Sequence, residues 1–362
     1  MVSSRGYDVA VVGAGIVGSA IAYECARRGA RVVLLDRDEP GAHASGAAAG
    51  MLAPCSEAHA PGPFLDLARA SLALWPGFAA AAHADGGVDP ELQLDGLLRV
   101  ALGEDDARGV QERLRWQHEA GIAGGTWLEP DDAITMEPAL TQDLAGAAWY
   151  PGEGHVHSRH AVRALVAAAA AHGAEIRRGA DVRSPTDLDA GRIVLAAGAW
   201  LAPLATAFGG TLPVQPVHGQ LLALTGVPQP PRRVLFAGLH GYAVAKRDGT
   251  VLAGASEEPR GFDTTPDLQT TRRLRAQAER LLPAAAGARG ATTWTGLRPA
   301  APDRLPLLGP LPGHDDGSVL VAGAHYRNGV LLAPETARGI AGMALDGRTP
   351  AGWEAFDPRR FD

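Results

Sequence analysis

The sequence predicts an α/β fold of two interleaved domains, one on a parallel sheet and one on a mainly antiparallel sheet with helices. Three observations lead there. The chain opens on a strand–glycine turn–helix–strand run, "DVAVVGAGIVGSAIAYECARRGARVVLLD", from Asp8 to Asp36. Two more short, continuously apolar runs, Arg192–Ala197 and Ser318–Ala322, lie far downstream, as strands of a doubly covered parallel sheet do. Between them fall runs with the spacing of antiparallel strands, at Val217–Leu224, Tyr242–Lys246 and Thr250–Gly254.

The elements follow in order. Asp8–Val12 is a buried strand that ends in Gly13-Ala14-Gly15-Ile16-Val17-Gly18. A helix runs to about Arg28 and stops at Gly29, a C′ glycine. Arg31–Leu35 is the second strand, with Asp36 at its carboxyl end. Ala44–Pro54 is small and apolar. Phe64–Ala84 reads as a helix interrupted at Trp75-Pro76, because an internal proline lacks its donor. Leu92–Leu102 alternates like strands, and Glu104–Ala120 is an amphipathic helix. Glu129–Pro138 is a loop with helical fragments, and Ala147–Tyr150 is a strand. Ser158–His172 and Leu268–Leu282 are helices. This order assigns residues 1–88, 153–213 and 292–362 to a Rossmann-like nucleotide-binding domain. Residues 89–152 and 214–291 form the second, substrate-binding domain.

Composition narrows the function. The 362 residues are 46% apolar and 20% charged, enough for a sizeable core. The net charge of −7 comes without a basic block, which argues against nucleic acid or an anionic membrane surface as partner. Cys25 and Cys55 make neither a disulfide framework nor a zinc spacing, and suit a reducing cytoplasm. The Val9–Ala22 run is punctuated by glycines and has Arg5 alone as a basic start, so it reads as a folded βα unit rather than a secretory segment.

Gly13, Gly15 and Gly18 fit the dinucleotide fingerprint: a tight turn, a close approach to a pyrophosphate, and close helix–strand packing. Asp36 stands where an acid accepts bonds from an adenosine ribose. These residues do not separate a flavin from a nicotinamide dinucleotide. A more specific segment is "GAHYRNGVLLAPETARGIAGM", Gly323–Met343, an apolar helix entered through Tyr326-Arg327-Asn328-Gly329.

Together with "ASGAAAGMLAP" and "WTGLRPAAPDRLPLLGP", these stretches resemble the D-amino-acid-oxidase-like flavoprotein superfamily over nearly the whole chain. Within it they are most similar to the glycine oxidase family of thiamine biosynthesis. The resemblance implies non-covalent FAD and transfer of hydride from the α-carbon of glycine or another small amine to flavin N5. The products are an imine, then glyoxylate, ammonia and hydrogen peroxide. It also implies a homo-oligomer, in one form a homotetramer, and a hand-off of the imine to thiazole synthesis. Ile16 and Val17 would offer amides to the pyrophosphate, with Asp36 and Arg37 around the adenosine. Ala44, Ser45, Ala49, Gly50 and Met51 would line the channel beside the isoalloxazine. Val182 would meet the adenine through its backbone. His325, Tyr326, Arg327, Asn328, Gly329, Val330 and Leu331 would cradle the flavin. Arg298 would hold the substrate carboxylate, Arg327 would add a second cation, and Tyr242 would close the pocket.

The chemistry is consistent with this. The planar fork of Arg298 matches a carboxylate, although an internal acid such as Asp303 is an alternative partner. A helix N-terminus near Asn328–Gly329 would stabilise an electron-rich flavin. A neutral amine needs no protein base, so no catalytic base is expected. No metal is expected either, since His155, His157 and His160 lack a completing carboxylate or thiolate. The sequence departs from the family pattern at His218, Ala245, Lys246, Glu257 and Arg304, and the stretch between Val182 and Arg192 is short. These departures bear on substrate choice. Sarcosine, a small D-amino acid or a cyclic imino acid are alternatives to glycine, as is a flavoprotein subunit of a larger dehydrogenase.

Overall fold

The computed structural model describes residues 6–122 and 124–362. A six-stranded sheet runs in the order Leu307–Pro310, Val319–Gly323, Ala190–Leu195, Tyr7–Val12, Val32–Asp36, Glu175–Arg178. All its pairings are parallel except that of Leu307–Pro310 with Val319–Gly323. Its inner strands are Val/Leu-rich and buried, as strands covered on both faces must be, while the edge strand Glu175–Arg178 is charged and largely exposed. On one face pack the helices Ile16–Arg27, Pro63–Gly86, Ser158–Ala171 and Gly329–Asp346, which share one core. On the other lie Leu201, Ala205 and Phe208 from the helix Leu201–Ala207 and the residue that caps it.

An eight-stranded sheet has the order Gly290–Ala300, Gln215–Thr225, Val251–Gly254, Tyr242–Ala245, Val234–Phe236, Leu97–Ala101, Gly146–Tyr150, Thr126–Leu128. It is antiparallel apart from the pairing of Val234–Phe236 with Leu97–Ala101. The helix Leu268–Leu281 covers one face through Leu274, Ala278 and Leu281. A two-stranded ribbon, Met51–Leu52 with Gly154–His155, lies apart from both sheets.

Several elements differ from the sequence reading. The helix Pro63–Gly86 continues through Pro76. An internal proline costs about 3 kcal/mol, and burial of Leu65, Ala68, Trp75, Ala79 and Ala82 along that helix offsets it. Leu92–Leu102 shortens to one strand, Leu97–Ala101, because Gly96 takes a left-handed φ of 95° just before it. The "TGLRP" stretch belongs to an eleven-residue strand, Gly290–Ala300, which runs across residue 292. Pro299 is tolerated because that strand forms the sheet edge.

The C-terminal helix contains a second proline, Pro334. Ser71 repairs the backbone beside it. Its hydroxyl donates to the Leu331 carbonyl at 2.7 Å and accepts from the Glu335 amide at 3.2 Å, and Trp75 Nε1 donates to the same carbonyl at 3.1 Å. All of these side chains are buried, so each lost partner leaves an unsatisfied group. Ser71→Ala should therefore lower unfolding free energy by about 1–3 kcal/mol, measured as a shift in the denaturant midpoint at unchanged m-value.

Candidate functional site

The glycine turn positions the first part of the site. Gly13 has φ 109°, and a side chain there would run into the Ala196 carbonyl. A side chain at Gly18 would strike the Gly13 carbonyl, so this glycine serves packing and does not line the cavity. Gly15 differs. A Cβ there would meet only Ser45 Oγ, at 3.1 Å. Gly329 is similar, with no protein atom nearer than 3.6 Å to its would-be Cβ. Both line one cavity of about 660 Å³. Backbone packing does not exclude a side chain at either position, although one at Gly15 would crowd Ser45 Oγ, and bare backbone at both lets a ligand approach closely.

That cavity collects most of the residues singled out above: Gly13, Gly15, Ile16, Val17, Asp36, Arg37, Ala44, Ser45, Ala49, Gly50, Met51, Val182, Tyr242, Arg298 and the run His325–Val330. Leu331 lies outside it, buried at 1% exposure with its carbonyl on Ser71 and Trp75. Two helix N-termini open into the cavity, at Ile16 and at Gly329. Neither has a capping side chain or an acid in its first turn. Free amides and both macrodipoles thus face one space, which suits an anionic ligand. Some polar groups are already engaged. The Ile16 amide donates to Ser45 Oγ at 2.9 Å, and the Ala14 amide to Asp36 Oδ2 at 2.6 Å. Arg37 stacks over Trp200, 4.1 Å from its ring centroid, and His43 packs on the same ring.

A strand edge joins the two sheets at the site. The Tyr326 amide donates to the Pro299 carbonyl at 2.9 Å, and Ala300 bridges to His325. Ala324 and Tyr326 both adopt left-handed φ, 54° and 52°, to make this turn. Gly296 meets Ala47, whose carbonyl accepts from Trp294 Nε1 at 3.0 Å. His325 is buried and bonds Thr336 Oγ1 at 3.0 Å, and burial pushes its pKa down to about 3. A neutral ring is a structural post there.

Arg298 pairs with Val217 in the ladder and lines the cavity, and its guanidinium lies over Gly219, where any side chain would collide with it. Its Nη1 donates to the Ser256 carbonyl at 3.0 Å and, more weakly, to the His218 carbonyl at 3.5 Å. Asp303, the alternative partner, is held by Arg360 at 2.8 Å. Four other arginines line the cavity, and each has a carboxylate. Arg37 pairs with Asp38, Arg183 with Asp181, Arg273 with Glu258, and Arg327 with Glu57 at 2.9 Å. Among the described residues, Arg298 is the cavity arginine without one. Burial holds its pKa below the ordinary value. Tyr242 is buried beside Gly254, and burial pushes its hydroxyl up to about 12, so it stays protonated.

Sequence reasoning missed Glu57, Trp200 and the role of Lys246. Glu57 lines the cavity and pairs with a residue 270 positions away, a distance at which no local pattern carries a signal. Glu257 and Arg304, two departures from the family pattern, pair with each other at 3.2 Å. His157 caps the helix Ser158–Ala171, in which His160 lies, and the two rings stack at 3.9 Å. His155 lies apart from them, on the ribbon strand Gly154–His155.

Lys246 is buried and donates to the Ala49 carbonyl at 2.7 Å, the Val156 carbonyl at 2.9 Å and His155 Nδ1 at 3.1 Å. It pins the cavity segment Ala49–Gly50 to the ribbon. Burial lowers its pKa to about 7. A depressed folded pKa means the unfolded chain holds more protons between about 7 and the free value of 10.5. The contribution is thus largest at high pH and is lost as pH falls towards 7. The stability gap between the wild type and Lys246→Met should widen as pH rises through that window, read from melting temperatures in matched buffers.

Comparison with known proteins gives the family. The FAD dependent oxidoreductase family profile matches residues 8–343. The chain is 35% identical over 351 residues to a glycine oxidase of Geobacillus kaustophilus, covering 93% of this chain and 92% of that protein. It is 36% identical over 375 residues to a bifunctional protein ThiO/ThiG of Synechocystis, spanning 98% of this chain but only 54% of that protein. The crystal structure of the glycine oxidase from Geobacillus kaustophilus superposes with a TM-score of 0.92 at 34% identity, covering 98% of each chain. The bare glycines and paired helix N-termini fit such a dinucleotide, and the chain belongs to the FAD dependent oxidoreductase family.

Proposed function

We propose that this flavoprotein is an amino acid oxidase acting on glycine and similarly small amines. One observation carries the reading. Arg298 presents to the cavity a charge whose hydrogen bonds go to neutral carbonyls, and among the described residues no carboxylate lies within 4.0 Å of it, Glu257 acting on it only from farther away. A buried cation without an anion is costly, and a substrate carboxylate would supply the missing partner bidentately. The Arg298 fork would fix that carboxylate, and with it the α-carbon, in one orientation, which is the proximity contribution to catalysis. Leu221, Phe236 and Tyr242 give the cavity apolar walls near Arg298, which would favour a substrate with a small apolar body.

FAD, when bound, supplies the two-electron acceptor and passes the electrons to oxygen. Ile16, Val17, Asp36, Arg37 and Val182 would hold its dinucleotide end, and Ala49–Met51 with His325–Val330 would hold the ring. The amides at the mouth of the helix Gly329–Asp346 would favour negative charge on the ring edge. The chain needs no general base if the amine enters neutral. Glycine, oxygen and water would give glyoxylate, ammonia and hydrogen peroxide by way of the imine. In a thiamine-forming cell that imine would serve thiazole synthesis. Residues 1–88, 153–213 and 292–362 would form the cofactor domain, and the remainder would close over the substrate.

Glycine should bleach the FAD-loaded protein anaerobically, and air should restore its colour with release of peroxide. A protein that stays yellow with glycine but bleaches with sarcosine or D-alanine would redirect the substrate assignment. Arg298→Ala should raise the KM for glycine about 10- to 150-fold, matching a lost charge-assisted bond of about 1.5–3 kcal/mol, with FAD still bound. Unchanged saturation would remove Arg298 from the site.

A further inference from the structure

We propose that Glu57 sets the charge of the ligand the cavity accepts. By occupying Arg327 it leaves Arg298, among the described residues, as the one cavity-lining guanidinium open to a carboxylate, so amines with a single carboxylate enter and those with a second are refused. This rests on the reading of Arg298 as the carboxylate anchor.

The placement of Glu57 supports it. The carboxylate is 12% exposed, lines the cavity and lies 2.9 Å from Arg327 Nη2. The same carboxylate dominates the field at Arg327, raising the pKa of the guanidinium above its ordinary value. Two more arginines lie within its field, Arg99 and Arg113, and among the described residues neither has a carboxylate within 4.0 Å. Arg99 Nη1 bonds the Ser56 carbonyl, and Arg113 Nη2 meets His59 Nδ1 at 3.3 Å. Glu57 therefore acts on all three guanidiniums, with Glu153 contributing at Arg99 and Arg113 and Glu257 at Arg327.

The carboxylate is also held in position. Glu57 ends the short helix Pro54–Glu57. Glu153 Oε1 accepts from the amides of Cys55 and Ser56, and Gln117 Nε2 donates to the Cys55 carbonyl at 2.7 Å. A second carboxylate on a ligand would meet Glu57 already seated on Arg327. It would have to displace that acid or accept like-charge repulsion, which costs several kcal/mol at close range. Without the Glu57 charge, Arg327 would be free, with Arg99 and Arg113 adding positive potential.

Calorimetry with acetate and malonate on the FAD-loaded protein at pH 8 tests this without turnover. The wild type should bind acetate at least about ten-fold more tightly than malonate, and Glu57→Gln should shift that ratio about ten-fold or more towards malonate, the expected range for relieving one close like-charge contact. Glu57→Asp, which keeps the charge, should retain the wild-type preference. Equal binding of the two acids by the wild type would overturn the proposal, even if Glu57→Gln failed to load FAD. A parallel change for both acids in Glu57→Gln would overturn it while leaving Arg298 as anchor. Failure of the wild type to bind either acid would overturn the Arg298 reading as well.

Discussion

The site depends on one backbone contact between the two sheets. The end of the strand Gly290–Ala300 reaches across to the turn before the C-terminal helix, where the Tyr326 amide finds the Pro299 carbonyl and Ala300 bridges to His325. This contact brings Arg298, which belongs to the antiparallel sheet, to the mouth of a helix that belongs to the parallel one. The turn takes two left-handed non-glycine residues to make it, Ala324 and Tyr326. Such a conformation persists only where the surroundings over-determine it. Here the neutral, buried His325 and the pairing with Pro299 and Ala300 do so.

Electrostatics in the cavity follows from that geometry. Two helix ends supply fixed positive potential, and most cavity arginines are matched by carboxylates. The residual charge is concentrated at Arg298. A preorganised, unmatched cation costs little when the ligand is bound and more when it is absent. The fold bears that cost through burial of the long strands and helices around it. Lys246 illustrates the same economy, since its Nζ donates to the Ala49 and Val156 carbonyls, which neither sheet pairs there.

Local chemistry made much of the cofactor side legible. Gly13 and Gly18 meet backbone within a few residues or across adjacent strands, so their requirement shows directly in the spacing. Arg298, Tyr242 and the 325–330 run were found through the family resemblance, and the structure places all of them on one cavity. The interruption expected at Pro76 shows the limit of propensity. A proline penalty is readable in the sequence, whereas the packing that offsets it, around Trp75 and Ala79, is not.

The sequence by itself determined the first strand, the glycine turn, the helix after it and the helix beginning at Gly329, because each is set by interactions spanning one or two turns of chain. The tertiary structure alone decided which cation stays unmatched. Glu57 meets Arg327 across 270 residues, Lys246 meets Ala49 across 197, and Glu257 meets Arg304 across 47. Charge pairing depends on distance in space, and over such separations only the packing of the sheets sets that distance.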